Sequence, residues 1–151
     1  MKIGLIADTH GLLRPEALHA LAGCDHLVHA GDIGKPSILD QLRALAPLSV
    51  VRGNNDRGLA WADALPDELV VHAGPLTLYL THEMADVPAS LPAKVNVVIT
   101  GHSHKPAIET RGGVLFVNPG SAGPRRFKLP VSVALLEPTD QGPRARLLTL
   151  G

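Results

Sequence analysis

The sequence predicts an α/β fold whose first third contains a parallel β-sheet. Three short apolar segments with the length and composition of buried strands alternate there with two segments of helical character. A strand-helix-strand-helix-strand order is typical of parallel strands joined by helices. The remainder of the chain consists mostly of predicted strands.

The early strands are predicted at 2–7, 26–30 and 48–52. The helices between them are predicted at 16–22 and 37–46, and each begins beside a proline, which suits the first helical turn. A glycine follows the first helix and a proline follows the second. Three apolar residues of the second helix are spaced to share one face: Ile38, Leu42 and Leu45.

Later strands are indicated by apolar or alternating segments separated by turn residues. They are predicted at 68–72, 76–81, 95–100, 107–111, 114–118, 131–136 and 144–150. Short turns that contain glycine pair the first two of these strands and the fourth with the fifth as hairpins. The last two strands are predicted to pair across a polar loop that contains proline and glycine.

Length and charge indicate one domain, covering 1–151, with a small-molecule partner. A chain of this length buries about 68–70% of its unfolded surface, which is enough for one core. The 14 basic and 14 acidic side chains give zero formal net charge, so no overall field attracts long nucleic acid or an anionic membrane. The aromatic content of 3% provides few surfaces for base stacking.

The termini and the single cysteine indicate a cytoplasmic protein. The first predicted strand begins almost at residue 1, so we expect no signal peptide, and no apolar run approaches the length of a membrane span. Cys24 is the only cysteine, so it has no partner for an intramolecular disulfide. We expect it to be a small core or helix-end residue.

A set of metal-binding side chains follows five of the predicted strands. The set comprises Asp8, His10, Asp32, Asn54, His82, His102 and His104. In open α/β sheets, ligands bind beyond the carboxyl ends of strands. Mixed imidazole, carboxylate and amide donors favour a first-row transition metal over calcium, and the lack of a thiolate favours an open site over a structural zinc site. Asp and Asn also crowd turns for backbone reasons, so the whole set carries the prediction rather than any one segment.

The segments around these side chains resemble the calcineurin-like metallophosphoesterase superfamily, and most closely its small YfcE-like phosphodiesterase group. The segments that carry the resemblance are Asp8-Thr9-His10, His29-Ala30-Gly31-Asp32, Gly53-Asn54, Gly101-His102-Ser103-His104 and Asn118-Pro119-Gly120-Ser121, with the lone His82 before the fourth. They span nearly the whole chain. The resemblance implies a four-layer αββα sandwich of two mixed β-sheets flanked by helices.

The resemblance also implies two divalent metal ions per chain and a role for each donor. One ion would be held by Asp8, His10, Asp32 and His104, and the other by Asp32, Asn54, His82 and His102. We expect Asp32, Asn54 and His82 to be the catalytic residues. Mn is the first choice of metal, and Fe, Ni or Zn remain alternatives because such donors accept all of them.

The predicted function is hydrolysis of a small phosphodiester by a metal-bridging hydroxide that attacks phosphorus in line. Two alternatives stay open: a non-catalytic interaction scaffold, like the retromer subunit that shares the implied fold, and a phosphomonoesterase or nucleotide phosphatase. Relatives of this size often associate, which leaves a homo-oligomer open.

Several other polar residues are assigned weaker roles. Asn55 occupies a position where many calcineurin-like enzymes have a histidine that protonates the leaving group, although the YfcE-like group commonly lacks it. Glu83 follows His82 where glycine is usual, and its carboxylate would narrow the pocket or repel anions. Structural or surface positions are expected for His19, His26, His29 and His72, with a supporting hydrogen bond near Asp32 as an alternative for His29. Either phosphate contacts or solvated charges are expected for Arg52, Arg125 and Arg126.

Overall fold

The computed structural model describes residues 1–150, which form ten strands and two α-helices. The first sheet is built from β1 (Ile3–Ile6), β2 (His26–His29), β3 (Leu48–Val50), β9 (Ser132–Thr139) and β10 (Gly142–Thr149). The second sheet is built from β4 (Glu68–Ala73), β5 (Leu76–Thr81), β6 (Val97–Ile99), β7 (Ala107–Arg111) and β8 (Val114–Asn118). The helices are α1 (Pro15–Leu21) and α2 (Pro36–Arg43), and single 3₁₀ turns lie at Ala60–Ala62 and Met84–Asp86.

The first sheet has the strand order β10-β9-β1-β2-β3. The first three strands of the chain are parallel, which confirms the prediction from the strand and helix order. The final hairpin adds to the free edge of β1 through an antiparallel pairing with β9. Gly4 allows α1 to pack closely, because a Cβ atom there would lie 2.6 Å from the side chain of Leu21.

The second sheet has the strand order β4-β5-β6-β8-β7. Its three central strands are parallel, and the two predicted hairpins contribute antiparallel strands at both edges. In both sheets, therefore, three neighbouring parallel strands end next to one another. This arrangement gathers the loops that follow them.

The two sheets pack face to face around the main hydrophobic core. Alternate residues of β1, Ile3 and Leu5, meet Leu78 and Leu80 of β5 in this core, and all four are fully buried. Alternation along a strand sends successive side chains to opposite faces, so Ile6 points instead to the helical side of the first sheet. There it packs in a second core that includes residues of both helices.

The outer layers of the sandwich differ from each other. Both α-helices cover the first sheet, whereas the second sheet is covered by a loop with one 3₁₀ turn that packs Val87 and Leu91 on Tyr79. The layered sandwich with two mixed sheets is thus confirmed, and its second outer layer is almost free of helix. None of the helices within residues 1–150 is long and apolar enough to cross a bilayer.

Two sequence predictions need correction. The second helix ends at Arg43 rather than 46, so Leu45 lies beyond it and is 37% exposed, while Leu39 joins Ile38 and Leu42 in the core. The final hairpin has longer strands and a tighter turn than predicted, with Asp140 and Gln141 between them. Proline interrupts neither strand: Pro138 of β9 and Pro143 of β10 lie opposite each other in the ladder. Cys24 is buried beside α1, as predicted.

Candidate metal centre

The structure brings the donor-bearing loops together at the carboxyl ends of five strands. Each predicted donor follows one of them: Asp8 and His10 after β1, Asp32 after β2, Asn54 after β3, His82 after β5, and His102 and His104 after β6. Backbone hydrogen bonds join the loops, such as Asp8 N–H to the Gly31 carbonyl at 2.9 Å and Gly101 N–H to the His82 carbonyl at 2.9 Å. Both sheets therefore contribute to one site.

Six of the seven donors form two groups. Asp8, His10 and His104 form the first, Asp32, His82 and His102 form the second, and the ligand atoms within each group lie within 4.8 Å of one another. In the first group, Nε2 of His10 and Nε2 of His104 are 3.3 Å apart. Their distances to Oδ1 of Asp8 are 3.8 and 3.6 Å. Either group is compact enough to hold a metal ion.

The imidazole of His82 has a defined tautomer. Its Nδ1–H donates a hydrogen bond to the Ala30 carbonyl at 2.7 Å, which leaves Nε2 as the free nitrogen. Nε2 faces Oδ2 of Asp32 at 3.2 Å and Oδ1 of Asp8 at 3.8 Å. A nitrogen lone pair that faces two carboxylates is a favourable position for a cation.

Buried polar atoms at the centre lack hydrogen-bond partners. Within the part of the chain that the structure describes, neither Oδ1 of Asp8 nor Nε2 of His82 has one, although both residues are buried. An unsatisfied buried polar atom costs about 1–3 kcal/mol, and more if it is charged. Divalent cations would remove this cost by coordinating these atoms. The residues present therefore fit the metal ions that the family resemblance implies.

Burial and neighbouring charges shift the pKa of two donors of the centre. Burial and the charge of Asp32 raise the pKa of Asp8 to about 7, against the opposing influence of His82. Burial and the charges of Arg126 and His10 lower the pKa of His104 to about 4. A divalent ion favours the ionised carboxylate and the neutral imidazole, which are the ligating forms.

Backbone strain is concentrated at the same residues. The described residues include seven non-glycine positions with positive φ, and five of them are predicted ligands. These are Asp8 (54°), His10 (46°), Asp32 (58°), His102 (71°) and His104 (63°). Positive φ is uncommon outside glycine and clusters at functional sites, where the surrounding structure holds it in place. The strain therefore supports a functional role for the loops.

Glycines next to the donors permit the close approach of the loops. A Cβ atom at Gly53 would lie 2.1 Å from Oδ1 of Asp32. Gly31 has φ of +105°, and a Cβ atom there would lie 2.7 Å from Nδ1 of His82. Any side chain at these positions would displace a predicted ligand. The glycines that precede Asp32 and Asn54 in the sequence thus have a steric explanation.

Asp56 is a structural residue of the centre that sequence analysis missed. Its buried carboxylate accepts hydrogen bonds from the backbone N–H groups of Ile33 at 3.0 Å, Gly34 at 3.2 Å and Gly53 at 2.9 Å. It thereby joins the Asp32 loop to the Asn54 loop. In the sequence it is one more acidic residue in a turn, and nothing there indicates which loop it contacts.

The segment from Asn118 to Ser121 acquires a role from the structure. The Asn118 amide donates to the Gly101 carbonyl at 3.0 Å and to the Ser103 hydroxyl at 3.1 Å. The Ser121 hydroxyl donates to the Asp8 carbonyl at 2.9 Å. These contacts hold the loops that carry His102, His104 and Asp8. Sequence analysis included this segment in the resemblance but did not assign it a role.

His29 supports the centre from the interior. It is fully buried, its Nδ1 accepts the Gly31 N–H at 3.0 Å, and its Nε2–H donates to the Thr9 hydroxyl at 3.0 Å. Thr9 in turn donates to the Ile33 carbonyl at 2.8 Å. The supporting hydrogen bonds left open for His29 are therefore present. The other three histidines outside the centre occupy the structural or surface positions expected of them: His19 on α1, His26 bonded to Ser49, and His72 on β4.

The remaining polar residues lie at the rim of the centre. Asn54 is exposed, and its amide group lies 3.5 Å from that of Asn55. Asn55 holds Asp32 through its backbone N–H at 2.9 Å and its amide at 3.3 Å. Glu83 approaches Nε2 of His102 at 3.4 Å. Arg52 forms an ion pair with Asp67 at 2.8 Å, so its guanidinium is engaged within the protein.

The calcineurin-like phosphoesterase superfamily domain matches residues 1–141. The chain belongs to this superfamily. The family resemblance predicted from the motifs is therefore confirmed, and with it the class of metal-dependent phosphoesterases. Membership implies divalent metal ions, and the two donor groups are the candidate ligands.

Relatives and solved structures agree with this assignment. A probable metallophosphoesterase of Methanothermobacter thermautotrophicus is 34% identical over 80% of this chain and 77% of that protein. Phosphodiesterase YfcE of Escherichia coli is 28% identical over 91% of this chain and 88% of that protein, and a solved structure of it superposes with a TM-score of 0.73 at 26% identity over all of both chains. A Vps29 variant from Entamoeba histolytica also superposes over all of both chains, with a TM-score of 0.73 at 24% identity, which shows a shared fold.

Proposed function

We propose that the protein is a phosphodiesterase with a centre of two divalent metal ions. The observation that carries this proposal is the pair of facing donor groups, with the buried atoms Asp8 Oδ1 and His82 Nε2 left without partners among the described residues. The similarity to phosphodiesterase YfcE supports a diester rather than a monoester as substrate.

The proposed ligand sets share Asp32. One ion would be held by Asp8, His10, Asp32 and His104, and the other by Asp32, Asn54, His82 and His102. The position of Oδ2 of Asp32 supports its role as the shared ligand. This oxygen lies 3.7 Å from Nε2 of His10, in one proposed set, and 3.2 Å from Nε2 of His82, in the other. Asn55 orients the same carboxylate through its two hydrogen bonds.

When bound, two divalent ions supply a water molecule with a lowered pKa and positive charge for the phosphoryl oxygens. The protein contributes the orientation of the ligands and an accessible rim. The exposed side chains of His102 and Asn54 belong to this rim, whereas Asp8, His82 and His104 are buried. Substrate would therefore enter beside His102 and Asn54, the latter presenting its amide to a phosphoryl oxygen or to the second ion.

Protonation of the leaving group is the weak point of the proposed reaction. Asn55 has no titratable proton, and both ring nitrogens of His29 are engaged in the interior. Neither residue can act as a general acid, a role typically worth about 10²–10⁴-fold in rate. We therefore propose a preference for diesters with acidic leaving groups. Mn in a cytoplasmic setting is the proposed metal, with Fe, Ni and Zn as alternatives for this donor set.

The test compares hydrolysis and metal content in matched variants. Metal-stripped protein is supplied with Mn, Fe, Ni or Zn and assayed on bis(p-nitrophenyl) phosphate, p-nitrophenyl phosphate and cyclic nucleotides. Asp32→Ala should lower kcat/KM for the diester at least a hundredfold, because several kcal/mol of charge stabilisation is lost. Asp40→Asn, a change in an exposed carboxylate on α2, is the control and should leave activity and metal content unchanged.

Each outcome selects among the alternatives. Elemental analysis should find two ions per chain in the wild type and fewer in Asp32→Ala. Faster hydrolysis of the monoester than of the diester would favour a phosphomonoesterase. No hydrolysis with any metal, or full activity of Asp32→Ala, would refute the proposal, and inactivity would favour the scaffold alternative.

A further inference from the structure

A groove with a strongly basic lining opens beside the first donor group. It has a volume of about 820 Å³ and is lined by Ser103, His104, Lys105, Arg126, Phe127, Lys128 and Leu129. We call it the basic groove. Three of these side chains are cationic and none is acidic. The chain has zero formal net charge, so this local excess of positive charge is not a property of the whole surface.

The cations of the basic groove are not engaged with carboxylates. In residues 1–150, the lysine and arginine side chains that form ion pairs are those of Arg52, Arg57 and Arg111. Arg126 is exposed, and it lines the basic groove together with His104, which places it near the metal centre. A free guanidinium beside a phosphoester site is suited to a second anionic group.

Phe127 is presented to solvent by a strained turn. Its side chain is 96% exposed, and its backbone has φ of 52°. The turn is closed by a hydrogen bond from Leu129 N–H to the Arg126 carbonyl at 3.1 Å. Burial cannot explain this phenylalanine, and glycine or asparagine would suit the backbone better. An exposed ring at the edge of a basic groove is suited to stacking on a planar group.

A second groove, whose charged lining is mainly acidic, lies on the other side of the loop from His102 to Lys105. It has a volume of about 430 Å³, its charged lining residues are Glu83, Glu109 and Lys105, and Phe116 contributes to its apolar lining. Lys105 and Ser103 line both grooves, so the loop from His102 to Lys105 separates them. A diester whose phosphorus lies at the metal centre would meet different surroundings on its two sides.

We infer that the basic groove binds one ester arm of the substrate, and that this arm carries a planar ring and an additional anionic group. Phe127 stacks on the ring, and Arg126 contacts the second anion with Lys128 nearby. The inference rests on the proposed phosphodiesterase function and adds the chemical class of the substrate. A nucleoside that bears a second phosphate has the required chemistry.

The experiment uses three diesters with the same p-nitrophenyl leaving group. The second ester group is methyl in the first, a thymidine 5′-oxygen in the second, and the same thymidine with a 3′-phosphate in the third. Because the leaving group is constant, differences in KM report binding of the second arm. We expect kcat/KM of the Mn-loaded protein to rise from the first ester to the third.

Two variants separate the contributions of ring and anion. Phe127→Asn keeps a residue that tolerates positive φ, and it should abolish the gain from methyl to thymidine, at least about fivefold for one stacked base. Arg126→Gln should abolish the gain in kcat/KM from the 3′-phosphate, about fivefold for a partly exposed charge contact, chiefly by raising KM for the third ester. Arg146→Gln, an exposed cation on β10, is the control and should change neither ratio.

A binding measurement keeps the test independent of catalysis. Calorimetric titration with thymidine 3′,5′-bisphosphate should show weaker binding in Arg126→Gln than in the Arg146→Gln control. If none of the esters is hydrolysed, the proposed function is wrong and this titration alone decides on the groove. Equal KM values for the three esters, or equal binding in all variants, would overturn the inference. A change of oligomeric state in Phe127→Asn without a change in KM would assign the ring to self-association and would also overturn it.

Discussion

Replacement of Asp56 by asparagine should destabilise the fold and the metal centre together. The carboxylate is 1% exposed and accepts three backbone N–H groups from the two loops that carry Asp32 and Asn54. Asparagine has nearly the same shape, but one of its two terminal atoms donates hydrogen bonds and cannot accept them. At least one of the three N–H groups would then lose its acceptor inside the protein.

The size of the destabilisation follows from the hydrogen bonds that the Asp56 carboxylate accepts. A hydrogen bond to a charged group contributes about 1.5–3 kcal/mol, and a buried N–H without an acceptor costs about 1–3 kcal/mol. We expect Asp56→Asn to lower the free energy of unfolding by about 2–4 kcal/mol. For a domain of this size each kcal/mol corresponds to about 2–4 °C, so Tm should fall by about 4–16 °C.

Thermal unfolding followed by circular dichroism in EDTA measures the effect on the fold alone. Mn titration of the same variant should show weaker binding, because the Asp32 loop is no longer held against the Asn54 loop. Asp40→Asn makes the same chemical change at an exposed position and should leave Tm unchanged. If Asp56→Asn melts within about 1 °C of the wild type and binds Mn equally well, the assigned coupling between the loops is wrong.

Two further predictions concern histidine chemistry. Asn55→His should accelerate diesters with poor leaving groups more than nitrophenyl diesters, since it adds a general acid, and equal acceleration in a leaving-group series would contradict this. Burial lowers the pKa of His29 to about 3, whereas the pKa of a histidine in the unfolded chain is about 6.5. Between these values the unfolded chain binds a proton that the folded chain does not, so stability falls as pH decreases through this window. Urea unfolding in EDTA should therefore give a lower free energy at pH 5 than at pH 7, with a smaller difference in His29→Gln, and an equal difference in both proteins would exclude His29 as the cause.

Much of the fold followed from local patterns. Strand and helix alternation predicted the parallel β1-β2-β3 arrangement, and glycine-containing turns predicted both hairpins of the second sheet. The end of α2 was less predictable, because residues 44–46 have helical composition and the boundary depends on packing. The pairing of the final hairpin was predicted, but its strands were predicted too short because proline in a strand is unfavourable in isolation. Pro143 lies on the edge strand β10, opposite Pro138 of β9, and proline is tolerated on an edge strand.

The donors of the centre were predictable as residue types but not as a geometry. Sequence order and the resemblance predicted which seven side chains to consider, and their shared position after strand ends predicted that they meet. The structure added the tautomer of His82, which depends on a contact with Ala30 more than fifty residues away, and the two buried atoms without partners. Asp56 could not be recognised, since its three backbone contacts lie in two separate loops.

The sequence by itself determined the parallel strands of the first third, the donor types and the family, because each of these depends on short segments or on residue identity. Only the tertiary structure decided how the loops from two sheets face one another. That arrangement creates the unsatisfied Asp8 oxygen, the hydrogen bonds of Asn55 to Asp32, and the basic groove between Ser103 and Leu129. These features arise from contacts between residues far apart in the chain, and such contacts depend on packing of the whole domain rather than on local composition.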